Sequence, residues 1–284
     1  MTAPWNPPSG TIDTQMHAYL PGFPPLPGGP GLPAGDLPTP ELYRAAMREL
    51  GIARVVVTQA NAYQKDNACL LACLAEFGAI SRGVAVIDGT ESDAELERLA
   101  QAGAVGARIM DLPGGAVGLD HLEAVDAKAA ELGWMIAVQF DGSQIVAHLP
   151  RLEALRSRWV FDHHGKFFSG AAPDGPEVAA VLRLIDRGRM WFKFAGCYES
   201  SRLGGPDFAD VAAVSRVIGA HAPERILWGT NWPHNLARAK GEPLPDDALL
   251  AATALDWLPD AAARRRALVE NPQELYGFPV WSGA

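Results

Sequence analysis

The feature that most constrains this chain is a repeated alternation of two patterns. Eight short apolar, β-branched runs fall near residues 11–19, 53–59, 82–88, 105–110, 134–140, 159–162, 190–195 and 225–229. Between them, apolar residues recur at three- and four-residue steps, the spacing of one helix face. From 40 to 50 these are Leu42, Tyr43, Ala46, Met47 and Leu50, and 93–102, 120–132, 143–156, 175–187 and 207–220 read the same way. Gly51, Gly103, Gly133 and Gly188 stand where helices end, because glycine accepts the left-handed cap. Strands that alternate with helices pair in parallel through crossovers. Eight such units in 284 residues predict a single α/β domain over 1–284, a (β/α)8 TIM barrel. An open doubly wound sheet is the alternative. No G-x-G-x-x-G follows the first strand, which argues against a dinucleotide site. The glycines at 114, 115 and 118 read as an ordinary turn.

Composition narrows the partners. Apolar residues make up 48% and charged residues 20%, a globular balance that excludes wholesale disorder. Lys and Arg total 24 against 33 Asp and Glu, a formal charge of −9. That balance argues against nucleic acid and anionic membranes as partners, and leaves room for a small cationic pocket. No apolar run approaches the roughly 20 residues of a membrane span. Residues 1–10 form a tail without the basic cluster and apolar stretch of a signal peptide. Three cysteines, Cys69, Cys73 and Cys197, suit a reducing compartment, so a cytoplasmic enzyme is expected. Cys69 and Cys73 share a helix face and read as small buried hydrophobes. Oligomeric state is not readable.

Residues 21–40 hold eight prolines and five glycines. A loop of that length in a compact domain is usually functional, and after the first strand it would lie over the C-terminal mouth of a barrel. Barrel chemistry sits at that face, and the polar residues gather at the strand ends. Strand one ends in Asp13-Thr14-Gln15-Met16-His17, and strand two leads to Gln59 and Asn61. Strand four carries Arg108 and Asp111, and strand five ends in Gln139-Phe140-Asp141. Strand six ends in Asp162-His163-His164-Gly165-Lys166. Strand seven carries Lys193 and leads to Tyr198, Glu199 and Arg202. Strand eight ends in Gly229-Thr230-Asn231-Trp232-Pro233-His234. Four of the seven histidines, His17, His163, His164 and His234, thus fall on one face. Bland readings stand beside these. Asp162 pairs with nearby backbone, Arg108 bridges to Asp111, Lys166 is solvated, and Tyr198 is ordinary packing.

Asp-x-x-x-His after strand one, Asp-His-His-Gly after strand six and Trp-Gly-Thr-Asn-Trp-Pro-His after strand eight resemble the amidohydrolase superfamily. More narrowly, residues 13–17, 106–115 and 159–168 are similar to the branch that contains 2-pyrone-4,6-dicarboxylate lactonase. The resemblance runs from about Thr11 to Phe278. It implies a barrel acting on a small lactone.

Two departures shape the expected chemistry. The superfamily pattern begins with His-x-His, a metal-binding pair, but this chain has Gln15 and keeps only His17. A neutral amide is a poor ligand for such metals, so no metal and no other cofactor is expected. The strand-eight aspartate, which activates water in the lactonases, is Asn231 here. An amide cannot take a proton. Hydrolysis needs that activated water. Internal ring exchange does not, since a substrate hydroxyl already sits beside the carbonyl. The resemblance therefore implies isomerisation of an aldaro-1,5-lactone to the 1,4-lactone by attack of the 4-hydroxyl. His163 or His234 would carry the proton, with His17 and Gln15 as oxyanion donors and Asn231 orienting groups. Arg108, Lys166 and Arg202 are candidate carboxylate partners, with Gln139, His164 and Tyr198 lining the pocket. A lactone hydrolase and a non-catalytic sugar-acid binding protein are the rival readings.

Overall fold

The protein, seen in a computed structural model, is described over residues 4–283. Eight strands, β1 (Ile12–Met16), β2 (Arg54–Thr58), β3 (Ser81–Ala85), β4 (Ala104–Met110), β5 (Met135–Gln139), β6 (Arg158–Phe161), β7 (Met190–Phe194) and β8 (Ile226–Trp228), form one sheet in chain order. Every neighbouring pair is parallel. The sheet curls back on itself just beyond β8. Met16 bridges to Trp232, the His17 amide donates to Trp232 O at 2.9 Å, and the Asn231 amide donates to Gln15 O at 2.8 Å. The expected barrel is present, and the open sheet is set aside.

Helices α1 (Pro40–Leu50), α2 (Ala68–Phe77), α3 (Asp93–Gln101), α4 (Leu122–Leu132), α5 (Ile145–Ala154) and α6 (Pro176–Asp186) fill the first six crossovers. A short α7 (Cys197–Ser200) precedes α8 (Ala209–His221) in the seventh. After β8 come α9 (Asn235–Lys240), α10 (Asp247–Leu255), α11 (Ala261–Arg265) and α12 (Asn271–Tyr276). Local chemistry sets the ends. In α1 the Thr39 hydroxyl accepts from Leu42 N, Pro40 opens the first turn, and Gly51 closes the last at φ 63°.

The strand period of two divides the barrel interior into layers. Ile12, Val56, Val84, Met135, Ala137, Val160, Trp191 and Leu227 pack inside, closed below by Leu275, Tyr276 and Phe278. Two residues further along their strands, Val56 is followed by Thr58, Ala137 by Gln139, Val160 by Asp162, and Trp191 by Lys193. The same alternation that builds the apolar core thus turns a buried polar floor toward the mouth. A second apolar layer lies between sheet and helices.

Of the expected tail, residues 1–3 lie outside the described residues; the rest is packed down. Trp5 Nε1 donates to Leu50 O at 2.9 Å, and its ring lies 5.2 Å from that of Trp228. The 21–40 segment has no regular element before α1 and is fastened to the stretch after β2, where Leu26 N donates to Ala62 O at 2.8 Å. Among the described residues no helix is long and apolar enough to cross a membrane.

Candidate active site

The floor of the mouth is a chain of fixed polar contacts. Lys193 Nζ lies 2.8 Å from Asp162 Oδ1 and donates to Gln15 Oε1 at 2.9 Å. Both charged side chains are fully buried. Burial works against the ammonium, but the Asp162 carboxylate and the Tyr276 hydroxyl together outweigh it and lift the Lys193 pKa above its ordinary value. An ammonium only donates, so Gln15 turns its oxygen toward Lys193. Its Nε2 then faces His17 Nε2 at 3.5 Å. His17 Nδ1 lies 2.9 Å from Thr58 O, and a carbonyl only accepts. The His17 proton is therefore on Nδ1, and Nε2 carries a lone pair. Burial, with Arg108 nearby, pushes the His17 pKa down to about 3, so the ring is neutral at pH 7.

His163 stands on the same footing. Its Nδ1 lies 3.3 Å from Ala195 O, which leaves Nε2 unprotonated. Burial holds its pKa well below that of free imidazole, and Lys166 and Lys193 add to the effect. Gly196 lets His163 and Asn231 approach: a Cβ at 196 would come within 2.9 Å of Asn231 Nδ2 and 3.1 Å of His163 Nδ1. The backbone is strained at this point. Among the described residues, five of the seven non-glycine residues with positive φ are His163, His164, Lys166, Asn231 and His234, all at the ends of β6 and β8. Such residues cost free energy and persist where the surroundings hold a functional geometry.

A second chain runs along the rim from β6 to α10. Lys166 Nζ lies 2.8 Å from Glu199 Oε2, with both side chains buried or nearly so. Burial acts to raise the Glu199 pKa, but Lys166 overrides it and keeps the carboxylate ionised. Asn231 Nδ2 donates to Glu199 Oε1 and to the Tyr198 hydroxyl oxygen, each at 2.9 Å. The Tyr198 hydroxyl lies 2.9 Å from His234 Nδ1, and His234 Nε2 lies 3.1 Å from Asp247 Oδ1.

Arg108 forms the opposite wall. Its guanidinium donates to Gln59 O, Asn61 Oδ1 and Gln139 Oε1 at 2.9, 2.9 and 3.2 Å, and Nε has no partner. Those partners are neutral, whereas Lys166 and Lys193 each face a carboxylate at 2.8 Å. Asp111 accepts from Leu119 N instead of pairing with Arg108.

The structure thus gathers Gln15, His17, Arg108, Gln139, His163, Lys166, Tyr198 and Asn231 around one mouth. Three expectations need correction. His164 points the other way: its Nδ1 meets Ser215 Oγ at 2.9 Å, and its ring stacks on Phe194 and meets Trp257 edge-on, between sheet and helices. β6 ends at Phe161, and His163 and His164 sit in the turn beyond it, each at φ 52°, so strand alternation no longer sets their directions and the turn sends the two rings to different sides. Arg202 is exposed on the rim, where its guanidinium donates to Ser169 O and its amide to Asp210. His234 has both ring nitrogens engaged, one step behind Tyr198. Sequence reasoning left Lys193, Glu199 and Asp247 out of the site. A lysine within the aromatic strand Met190–Phe194 was a readable signal; Asp247, at the start of a later helix, gave none.

A divalent cation does not fit this donor set. At the mouth it would find the bare Nε2 atoms of His17 and His163 but no free carboxylate beside them, since Asp162 and Glu199 are each held by a lysine, and it would face the Lys193 ammonium and the Gln15 amide nitrogen, neither of which is a ligand. Among the described residues, no group of three or more His, Cys, Asp or Glu is arranged to hold a metal ion.

Comparison with known proteins places this geometry. A family model described as amidohydrolase matches residues 12–278. D-galactarolactone isomerase of Agrobacterium fabrum is 64% identical over 97% of this chain and 94% of its own length. A 2-pyrone-4,6-dicarboxylate hydrolase of Comamonas testosteroni is 31% identical over 95% of this chain and 90% of its own length. An apo crystal structure from Agrobacterium tumefaciens, 61% identical, superposes with a TM-score of 0.93 over 98% of this chain and all of that one.

Proposed function

The chain belongs to the amidohydrolase family, and on that footing we propose that it converts D-galactaro-1,5-lactone to D-galactaro-1,4-lactone by intramolecular ring exchange. The observation that carries this reading is the state of position 231. Its side chain is an amide with its Nδ2 donating to both Glu199 and Tyr198, and the nearby carboxylates, Asp162 and Glu199, are each held by a lysine. Nothing there serves a water molecule as a free carboxylate base.

The substrate carboxylate binds at Arg108, which among the described residues is the site cation whose hydrogen-bond partners are all neutral, and this suits a lactone carrying a single carboxylate. The 4-hydroxyl lies against Asn231 and attacks C1. As the O4–C1 bond forms, His163 Nε2 takes the hydroxyl proton. Gln15 Nε2, backed by Lys193, donates to the developing oxyanion. His17 supports that donor through its unprotonated Nε2 and is not an oxyanion donor itself, because its one proton is committed to Thr58. The C1–O5 bond then breaks, and the proton passes from His163 to O5, which leaves as the 5-hydroxyl. His234 acts through Tyr198. Effective molarities of about 10^5 M or more make such internal attack competitive without an activated water. The reaction belongs to sugar-acid catabolism, and we place it in the cytoplasm, where the three buried thiols stay free.

Proton NMR of freshly prepared 1,5-lactone tests the reading, with and without chelator, against an enzyme-free control. Accelerated, chelator-insensitive growth of 1,4-lactone signals is expected. Accelerated formation of the open diacid would make the protein a hydrolase, and no acceleration of either would favour a binding protein.

A further inference from the structure

Asn231 offers the reacting groups either an acceptor or a donor, depending on how its amide is turned. The Glu199 carboxylate is an acceptor only, and it lies 2.9 Å from the amide end written as Nδ2. That end is therefore NH2, and its second proton goes to the Tyr198 oxygen at 2.9 Å. With both N–H groups committed, Oδ1 is the atom left to meet a ligand. This arrangement holds only while the Tyr198 oxygen is free to accept, so the phenol proton must point elsewhere. His234 Nδ1, at 2.9 Å, takes it if that nitrogen is bare; otherwise the proton is left with Glu199 Oε1, a longer contact at 3.4 Å to the oxygen Asn231 already uses. The Asp247 carboxylate, 3.1 Å from His234 Nε2, draws the ring proton to Nε2 and so keeps Nδ1 bare. Asp247 belongs to α10, well beyond the strand-eight motif.

We propose that Asp247 is a positioning residue that, through His234 and Tyr198, locks the Asn231 amide with its carbonyl oxygen presented to the attacking hydroxyl of the lactone. The kinetic half of this proposal rests on the isomerase reading; the hydrogen-bond half does not. Asp247→Asn removes the charge that selects the tautomer and leaves the fold and the volume in place. A carboxylate-to-amide change of this kind in the serine-protease triad, the known precedent, costs about 10^4 in turnover through the wrong tautomer. Here the histidine acts at one remove, and a loss of about ten- to a hundredfold in kcat is expected, with KM within threefold.

The experiment combines a double-mutant cycle with imidazole 15N NMR of the full-length protein. Asp247 acts only through the phenol. In a Tyr198→Phe background, Asp247→Asn should therefore cost nothing further, whereas independent contributions would multiply. In 15N-histidine spectra, His234 should carry its proton on Nε2 in the parent and lose that preference in Asp247→Asn. Multiplicative losses in kcat, or a His234 tautomer indifferent to Asp247→Asn, would overturn the proposal. If the parent protein does not exchange the lactone at all, the isomerase reading fails, and the 15N result alone decides whether Asp247 sets the His234 tautomer.

Discussion

Asn231→Asp is the change that most directly probes how the mouth is wired. On its face it restores a water-activating base. The geometry says it does so only conditionally. The nitrogen it replaces lies 2.9 Å from Glu199 Oε1, so the new carboxylate would meet an ionised one. With charge centres about 4 Å apart and an effective dielectric near 20, the repulsion is about 4 kcal/mol. That raises the pKa of the new carboxyl from about 4 to about 7, with Glu199 kept ionised by Lys166. At pH 6 the single variant is thus mostly protonated at 231 and hydrolyses the lactone poorly. Between pH 6 and 8 diacid formation should climb by roughly tenfold, then level. Adding Glu199→Gln removes the like charge and leaves Lys166 to favour the new carboxylate, so hydrolysis should already be fast at pH 6 and nearly flat above it. Product partition between 1,4-lactone and diacid, followed by NMR with enzyme-free rates subtracted, reads this out. A single variant that hydrolyses as fast at pH 6 as at pH 8 would refute the reasoning, since the two carboxylates would not be in contact.

Three further outcomes follow from named contacts. Arg108→Met removes the unpaired cation; losing one partner of a buried charge pair costs about 2–5 kcal/mol, so KM should rise at least about thirtyfold with kcat less affected. An unchanged KM would move the carboxylate elsewhere. His163→Ala should lower turnover a hundredfold or more, the usual worth of a positioned acid–base group, and near-normal activity would remove it from the reaction. His164→Asn tolerates the left-handed backbone at φ 52° and should leave kcat/KM within threefold, because the ring faces away from the mouth. Burial depresses the His164 pKa to about 3, so its neutral form stabilises the fold above the unfolded value near 6.5, and that stability is lost as pH falls. The variant's loss of stability between pH 7 and 5, from urea titrations, should shrink by up to about 2 kcal/mol.

The barrel was legible because its signal is periodic: all eight strands and the helices of most crossovers lie where alternation and glycine caps put them. The helices after β8 were harder to foresee, because α9, α11 and α12 have only 6, 5 and 6 residues, too short to show a period. The mouth was legible wherever one side chain per strand end reaches inward, as for His17, Arg108 and Asn231. It failed at His164, where a left-handed turn past the end of β6 sends the ring away from the mouth, and at Arg202, where a charged loop residue stays on the rim. The ion pairs Lys193–Asp162 and Lys166–Glu199 were not legible as pairs, since 31 and 33 residues separate partners that the parallel pairing of β6 with β7 brings to 2.8 Å.

The central claim is that water takes no part in the ring exchange. Running the conversion in H2 18O and recovering early 1,4-lactone for mass spectrometry tests it directly. Intramolecular attack by the 4-hydroxyl predicts product without label beyond the enzyme-free control. One 18O in the recovered 1,4-lactone would show that the ring opens to the diacid before it closes again, and would contradict the account.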